Sequence, residues 1–357
     1  MATYRIAVLP GDGIGPEVIE EGLKILRALQ PVRGVEFDCM EFNWGSTYYM
    51  KHGRMMPTDA LDRLLAFDAI YFGAVGHPEI QDHITLNGLL LPMRRAFDQY
   101  VCLRPSVLHT GVESPLRNKN PGEIDMVVIR ENVEGEYANV GGFQYSQMPQ
   151  EVALQTAVFT RQGCERIIRF AFELSRKRNH KKSVSSITKS NAMGYGMVLW
   201  DDVFTSIARE YPDIATESLL VDAACMDFIR RPESFDVVVA SNLFGDILTD
   251  IGAIITGSMG LAPSGNINPE KRYPSLFEPV HGSATDIAGT GVANPMAATL
   301  SLSMMLEHLG EQKAADDVES ATLTVLADRK FRTADLAGSS TTCEVGDAIV
   351  AALLNLY

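Results

Sequence analysis

The chain has 357 residues, of which 46% are hydrophobic and 21% charged, with a formal net charge of −14. That length suits one large α/β domain or two intimately joined ones, and no apolar run reaches the roughly 20 residues a membrane helix needs. The acidity argues against a nucleic-acid partner, because the densest basic run, RKRNHKK at residues 176 to 182, is too short to make the broad basic face that phosphate binding requires.

In chain order, MATYRIAVLP has no signal-peptide character and runs straight into a strand, YRIAVLP. The glycine-rich turn GDGIGP follows, and then EVIEEGLKILRALQ, whose apolar spacing predicts an amphipathic helix. VEFDCMEF, DAIYFGAVG, YVCLRPSVL, IDMVVIRE, KSVSSITK, TESLLVDA and DVVVASNL read as further strands. Helical patterns lie between most of them, notably GCERIIRFAFELSRKR and, near the end, PMAATLSLSMMLEHLG. This alternation predicts an α/β architecture. No linker, repeat or low-complexity tract divides the chain, so a second domain is expected as an insertion. Residues 138 to 160, with glycines, a proline and short alternating pieces, predict an arm or hairpin suited to subunit contact. The five cysteines (Cys39, Cys102, Cys164, Cys225, Cys343) form no CxxC pair; they read as reduced thiols of a cytoplasmic protein.

The chemistry concentrates in a few segments. SNLFGDILTDIG places Asp246 and Asp250 on one face of a helix. Alone, the pair reads as two exposed acids, but its surroundings are apolar or small. Asp222, at the end of the apolar run LLVDAAC, adds a third hard oxygen, and such a set suits Mg²⁺ or Mn²⁺ rather than zinc. Arg94, Arg104 and Arg130 lie at or near element ends; each alone reads as a surface residue, and together they imply a carboxylate-bearing substrate. Tyr137 and Lys189 follow strands in the same manner and are candidate proton donor and acceptor, the lysine if desolvation or a metal lowers its pKa. In EPVHGSATDIAGTGVANPMAATL, residues 278 to 300, glycines and small residues precede a helix and an aspartate is placed to meet ribose hydroxyls. GDGIGP has neither the spacing nor the composition of a Rossmann pyrophosphate loop.

From GDGIGPEV near residue 11 to ANP at residues 293 to 295, these segments resemble the isocitrate/3-isopropylmalate dehydrogenase family of β-decarboxylating oxidoreductases. SNLFGDILTDIG and HGSATDIAG followed by VANP are the most specific matches. The resemblance implies a two-domain α/β fold distinct from Rossmann, with a large cofactor-binding domain over residues 1 to 100 and 253 to 357, a small dimerisation domain over residues 101 to 252, and an active cleft between them. It implies a homodimer in which one subunit lends Lys189 and Asp222 to the site of the other, where Asp246, Asp250, Tyr137 and the three arginines act. His281, Gly282, Ser283, Ala284, Asp286 and Asn294 match the adenosine-binding loop. Asp286 followed by Ile287 resembles the NAD type, since a carboxylate repels a 2′-phosphate.

The chain is most similar to the tartrate dehydrogenase/D-malate dehydrogenase (decarboxylating) branch, for which Mg²⁺ or Mn²⁺ is expected and K⁺ is a further candidate cation. That branch usually reads WGSLLKFRREFDQY where this chain reads NGLLLPMRRAFDQY, so Asn87 and Leu89 become candidate contacts to the variable part of the substrate. Two alternatives stand beside this reading. One is a 3-isopropylmalate dehydrogenase, with Leu89, Leu90 and Leu91 facing an isopropyl group; the other is a non-catalytic regulatory subunit.

Overall fold

The computed structural model describes residues 2–357. The chain opens with strand β1 (Ala2–Gly11), helix α1 (Gly15–Arg33), β2 (Val35–Glu41), α2 (Ser46–His52), α3 (Ala60–Leu64), β3 (Ala69–Ala74), α4 (Asp82–Gly88) and α5 (Leu90–Ala96). It continues through β4 (Val101–Val107), β5 (Asp125–Glu131), β6 (Gly135–Gln144), β7 (Val152–Val158), α6 (Arg161–Arg178), β8 (Ser183–Thr188), α7 (Gly196–Ala208), β9 (Ala215–Leu220), α8 (Val221–Arg230), β10 (Val237–Ala240) and α9 (Asn242–Ile255). It closes with β11 (Pro263–Ile267), β12 (Ser275–Pro279), α10 (Met296–Leu309), α11 (Gln312–Asp328) and α12 (Thr342–Leu354).

These elements gather into two compact units. The first comprises the chain up to Gln99, Val107–Ile124 and Ala253–Tyr357; the second comprises Tyr100–Ser106 and Asp125–Gly252. The segment 107–124 thus belongs with the first unit, a return that the uninterrupted range 101–252 did not anticipate.

In the first unit the strands run in the order β2-β1-β3-β12-β11, parallel except for the antiparallel pair β11 and β12. Ile6 to Leu9 and Ala69 to Phe72 are buried without the polar alternation of a one-sided sheet, as expected for strands covered on both faces. Helix α10 is buried along most of its length, Thr299, Ser301 and Ser303 included, the signature of a central helix rather than a surface one. Around Leu9, Phe42, Trp44, Ile70, Phe72, Leu89, Met93 and Phe97 a single apolar cluster forms.

His308, in the last turn of α10, packs its ring against Phe277 with centroids 5.5 Å apart. Burial, reinforced by the nearby Lys271 charge, pushes its pKa down to about 4. The folded value lies below the unfolded one, so the imidazole is neutral in the native protein, and the stability present above about pH 6.5 is lost as pH falls towards 4. Urea unfolding of the native protein and of His308→Gln is expected to differ in slope between pH 7 and pH 5, with the native protein losing about 2 kcal/mol more than the variant. Parallel pH profiles would refute the assignment.

In the second unit β5, β10, β8 and β9 pair in parallel in that order, with β4 beside β5. Helix α6 is capped by the Thr160 hydroxyl, which accepts from the Gly163 N–H at 2.9 Å, and Cys164, Ile167, Ile168, Ala171 and Phe172 form its buried face. The excursion anticipated at 138–160 is an antiparallel hairpin of β6 and β7, with Phe143 and Leu154 exposed.

Three local expectations change. TESLLVDA does not continue as a strand, because β9 stops at Leu220 and Asp222 falls in the first turn of α8, where a negative charge is favoured by the helix dipole. The apparent helix around LLLPMRRAF breaks at Leu89 (φ −134°, ψ −74°) into α4 and α5. The short strands β11 and β12 were not anticipated, because PSGNI and SLFEP carry turn-forming Pro and Gly and polar residues. They hold as strands because their buried polar groups find partners: Asn266 Nδ2 donates to Glu278 at 2.7 Å, and the Ser264 N–H to Ser301 Oγ at 3.3 Å.

Candidate active site

In the second unit Arg104 of β4, Arg130 near the end of β5 and Tyr137 of β6 meet Asp246 in the early part of α9, so that four candidate residues converge there. Asp246 is the hub. Its Oδ1 accepts from Arg104 Nη1 at 3.3 Å and from Arg130 Nη1, while its Oδ2 accepts from the Tyr137 hydroxyl at 3.1 Å. Arg104 also donates to Thr249 Oγ1 at 2.8 Å, and Arg130 donates through Nε and Nη2 to Asn242 Oδ1 at 3.0 and 2.8 Å. Both arginines are buried, whereas the Asp246 side chain is 36% exposed. Two fixed guanidinium groups therefore sit beneath a carboxylate that still meets solvent, an arrangement suited to anions.

Asp250 lies one turn further along α9. Desolvation, followed by the Asp246 charge, raises its carboxyl above the usual range, against the pull of Arg104 and Arg130. Asp246 and Asp250 thus present two carboxylates on one helix face, and hard oxygen donors of this kind fit Mg²⁺ or Mn²⁺. Burial and then Asp246 also raise the Tyr137 phenol, which keeps its proton in place for donation. Asn242 and Thr249 were not singled out from sequence, although both lie inside the SNLFGDILTDIG motif.

Lys189 and Asp222 form a separate pair, Lys189 Nζ meeting Asp222 Oδ1, with Asp222 58% exposed. Asp222 does not join Asp246 and Asp250 within the chain. Among the described residues, the ligand-type trio lying within 4.8 Å of one another is Glu21, Cys343 and Asp347, and Lys24 already supplies the cation there, 2.8 Å from Glu21 and 3.0 Å from Asp347.

In the first unit Arg94 is buried and donates through Nη2 to Glu278 Oε1 at 3.0 Å, while its Nε has no hydrogen-bond partner. Glu278 was missed from sequence, as was the strand β12 that holds it. Asn87 Nδ2 donates to the His83 carbonyl of its own helix at 2.8 Å. Leu89 is fully buried in the apolar cluster, and Leu90 beside it is 5% exposed. Since Leu89 sits at the break between α4 and α5, its side chain turns into the core and offers no surface to a substrate, a correction to the sequence expectation.

The cofactor-loop candidates are built around the GDGIGP turn. The Ile14 N–H donates to the Ser283 carbonyl at 2.8 Å. Gly13, at φ +59°, passes so close that a Cβ would lie 1.9 Å from that oxygen, so no other residue fits. Asp12 is buried and ties three segments together, accepting from the Ser46 N–H and hydroxyl at 2.8 and 2.6 Å and from the Gly76 N–H at 2.9 Å. Val75, Gly76, His77, Gly282, Ser283 and Thr285 line a cavity of about 630 Å³.

His281 Nδ1 lies 3.0 Å from the Gly282 carbonyl, which can only accept, so Nδ1 carries the proton and Nε2 is left with a lone pair. Nε2 is buried without a partner, and burial lowers the pKa of the ring. Asp286 is exposed. Asn294 differs from the others: its Oδ1 accepts from the Met296 N–H at 3.0 Å and its Nδ2 donates to Asp335 at 3.0 Å. Buried and engaged at both ends, it anchors the start of α10.

Comparison with known proteins places these motifs. The family model described as isocitrate/isopropylmalate dehydrogenase matches residues 5–349. The chain belongs to this family. It is 48% identical over 354 residues to a probable tartrate dehydrogenase/decarboxylase of Agrobacterium vitis, covering 99% of this chain and 98% of that one. It is 48% identical over 361 residues to the D-malate dehydrogenase [decarboxylating] of Escherichia coli, with 99% of each chain covered. A tartrate dehydrogenase/decarboxylase of Pseudomonas putida is 47% identical over 362 residues, with 99% of each chain covered. The crystal structure of isocitrate dehydrogenase from Methylococcus capsulatus superposes with a TM-score of 0.88 at 35% identity, covering 98% of this chain and 99% of that one. As an isocitrate/isopropylmalate dehydrogenase family member, the chain is a decarboxylating dehydrogenase with a two-domain α/β fold. No helix among the described residues is long and apolar enough to cross a membrane.

Proposed function

We propose that this dehydrogenase oxidises a small 2-hydroxy dicarboxylic acid, D-malate or tartrate, with NAD and a divalent cation, and releases CO₂ from the oxidised product. The observation that carries the reaction is the hub at Asp246, where two buried arginines and a protonated tyrosine meet an exposed carboxylate. Arg94, Arg104 and Arg130 are assigned to the carboxylates of the substrate. Lys189 is assigned to take the proton of the 2-hydroxyl while the C2 hydride departs. Loss of the β-carboxylate as CO₂ leaves its bonding pair on C3, and the Tyr137 hydroxyl supplies the proton that C3 takes up. Asp222, Asp246 and Asp250 would hold Mg²⁺ or Mn²⁺, which would supply Lewis-acid polarisation of the substrate oxygens. NAD would accept the hydride. His281 Nε2 is a waiting acceptor for the adenosine moiety, and the exposed Asp286 disfavours a 2′-phosphate.

A homodimer with shared sites follows from the same reading. On α8 the spacing of Asp222, Met226 and Ile229 puts them on one face, and all three side chains are exposed. On α9 the exposed Ile247 stands three residues before Asp250. Exposed apolar side chains flanking metal-type carboxylates suit a surface covered by a second copy, as do Phe143 and Leu154 of the hairpin. The five free cysteines suit a cytoplasmic setting.

The burial of Leu89 and Leu90 also favours D-malate or tartrate over 3-isopropylmalate, because it removes two of the three leucines that would receive an isopropyl group. The test is reduced-cofactor formation with NAD or NADP over D-malate, L-tartrate, meso-tartrate, 3-isopropylmalate and isocitrate, with Mn²⁺ and K⁺ present. D-malate or a tartrate with NAD is expected to exceed 3-isopropylmalate in kcat/KM by roughly 10- to 200-fold, the range one small side group commands. A preference for 3-isopropylmalate, or equal use of NADP, would overturn the corresponding part of the reading.

A further inference from the structure

The motif GDGIGPEV carries one acid besides Asp12, and that is Glu17. Glu17 stands in the first turn of α1, and its carboxylate reaches 272 and 274 residues along the chain. Oε1 accepts from the Gly289 N–H, and Oε2 accepts from the Gly291 N–H at 3.1 Å. One carboxylate thus engages both amides, each oxygen taking one. The convergence depends on the left-handed backbone of Gly289 (φ +74°) and Gly291 (φ +67°), a conformation glycine adopts without strain. The segment so gripped carries Asp286.

The other supports of this loop show what Glu17 adds. At its beginning the Ser283 carbonyl is held by the Ile14 N–H, and at its end the Gly291 carbonyl is held by the Thr342 N–H at 2.8 Å. Between these anchors the loop, among the described residues, makes its own turn contacts: Ile287 N–H to the Ala284 carbonyl at 3.1 Å, and the Thr290 N–H and hydroxyl to the Ile287 carbonyl at 3.2 and 2.6 Å. Glu17 is the side chain that ties this span to the helix following the GDGIGP turn.

We infer that Glu17 is the positioning residue of the cofactor loop, a carboxylate that sets Asp286 and its neighbours in the conformation that takes the adenosine end of NAD. The inference rests on the assignment of that loop to NAD. An ordered loop binds without the cost of ordering it on contact. Loss of Glu17 therefore weakens cofactor binding while leaving the residues around Asp246 and Arg94 in place.

The experiment measures NADH affinity by fluorescence, with steady-state kinetics, for the native protein, Glu17→Gln and Glu17→Ala. Glutamine retains one acceptor oxygen for two amides, so the expected order of affinity is native, then glutamine, then alanine. Alanine is expected to raise the Kd for NADH and the KM for NAD about tenfold or more, the scale of a lost charged hydrogen bond. The kcat at saturating NAD and the KM for the hydroxy acid should stay within about twofold. A general loss of structure would move all of these together and would be seen as a lowered unfolding midpoint. Should alanine fail to fold, glutamine and hydrogen exchange of the Gly289 and Gly291 amides in the native protein decide the matter. Native NADH binding with unchanged affinity in a folded variant, or unprotected amides, overturns the role of Glu17 alone. A native protein that binds no NADH overturns the cofactor assignment itself.

Discussion

Asp246→Asn is expected to lower kcat/KM by about 10³-fold or more, on the order of 4 kcal/mol of lost transition-state stabilisation. Asparagine keeps the oxygen that accepts from Arg104, Arg130 or Tyr137, so the geometry of the unit is retained while the charge is lost. Two consequences separate this from general damage. Raising Mn²⁺ should recover part of the activity, since a site with one charge fewer binds the cation more weakly. The phenol of Tyr137 should also titrate at lower pH, because the Asp246 charge is one of the causes that hold it up. Rates near native at ordinary Mn²⁺ would remove Asp246 from the machinery and with it the hub on which the proposed reaction is built.

The second large effect is a recovery. Lys189→Met and Asp246→Asn are each expected to be inactive as homodimers. If Lys189 serves the site of the partner subunit, a mixed dimer pairs one intact Asp246 with one intact Lys189 in a single complete site. Random exchange of equal amounts makes half of the dimers mixed, each with one of its two sites complete, so activity should return to about a quarter of native. The separation of the Lys189–Asp222 pair from Asp246 and Asp250 within one chain is what this experiment explains. If both sets acted within the same subunit, the mixture would stay inactive however complete the exchange. Native mass spectrometry of the mixture shows whether mixed dimers have formed, so a negative result refutes the shared site.

Much of the protein was legible before any coordinates. The apolar periodicities located most strands of both units, because a strand covered on two faces and an amphipathic helix leave different spacings in the chain. The order of GDGIGPEV, SNLFGDILTDIG and HGSATDIAG carried the family, and the family resemblance implied the reaction class. Local spacing alone puts Asp246 and Asp250 on one helix face whatever surrounds them, while their role came from the resemblance.

Tertiary structure decided which of these residues meet. Arg104, Arg130 and Tyr137 reach Asp246 from 142, 116 and 109 residues away, and only the order of the strands and the place of the hairpin bring them together. Spacing along a chain carries no record of that order. The same limit hid the burial of Leu89, because the break between α4 and α5 turns inward a leucine that a continuous helix would have placed elsewhere. It hid the strands β11 and β12, whose polar residues gave no strand signal until Asn266 and Arg94 are seen to bond Glu278. It hid the grip of Glu17 on two distant glycine amides as well. Periodicity records which face of an element avoids water; the partner that a buried polar group finds is settled only when the elements pack.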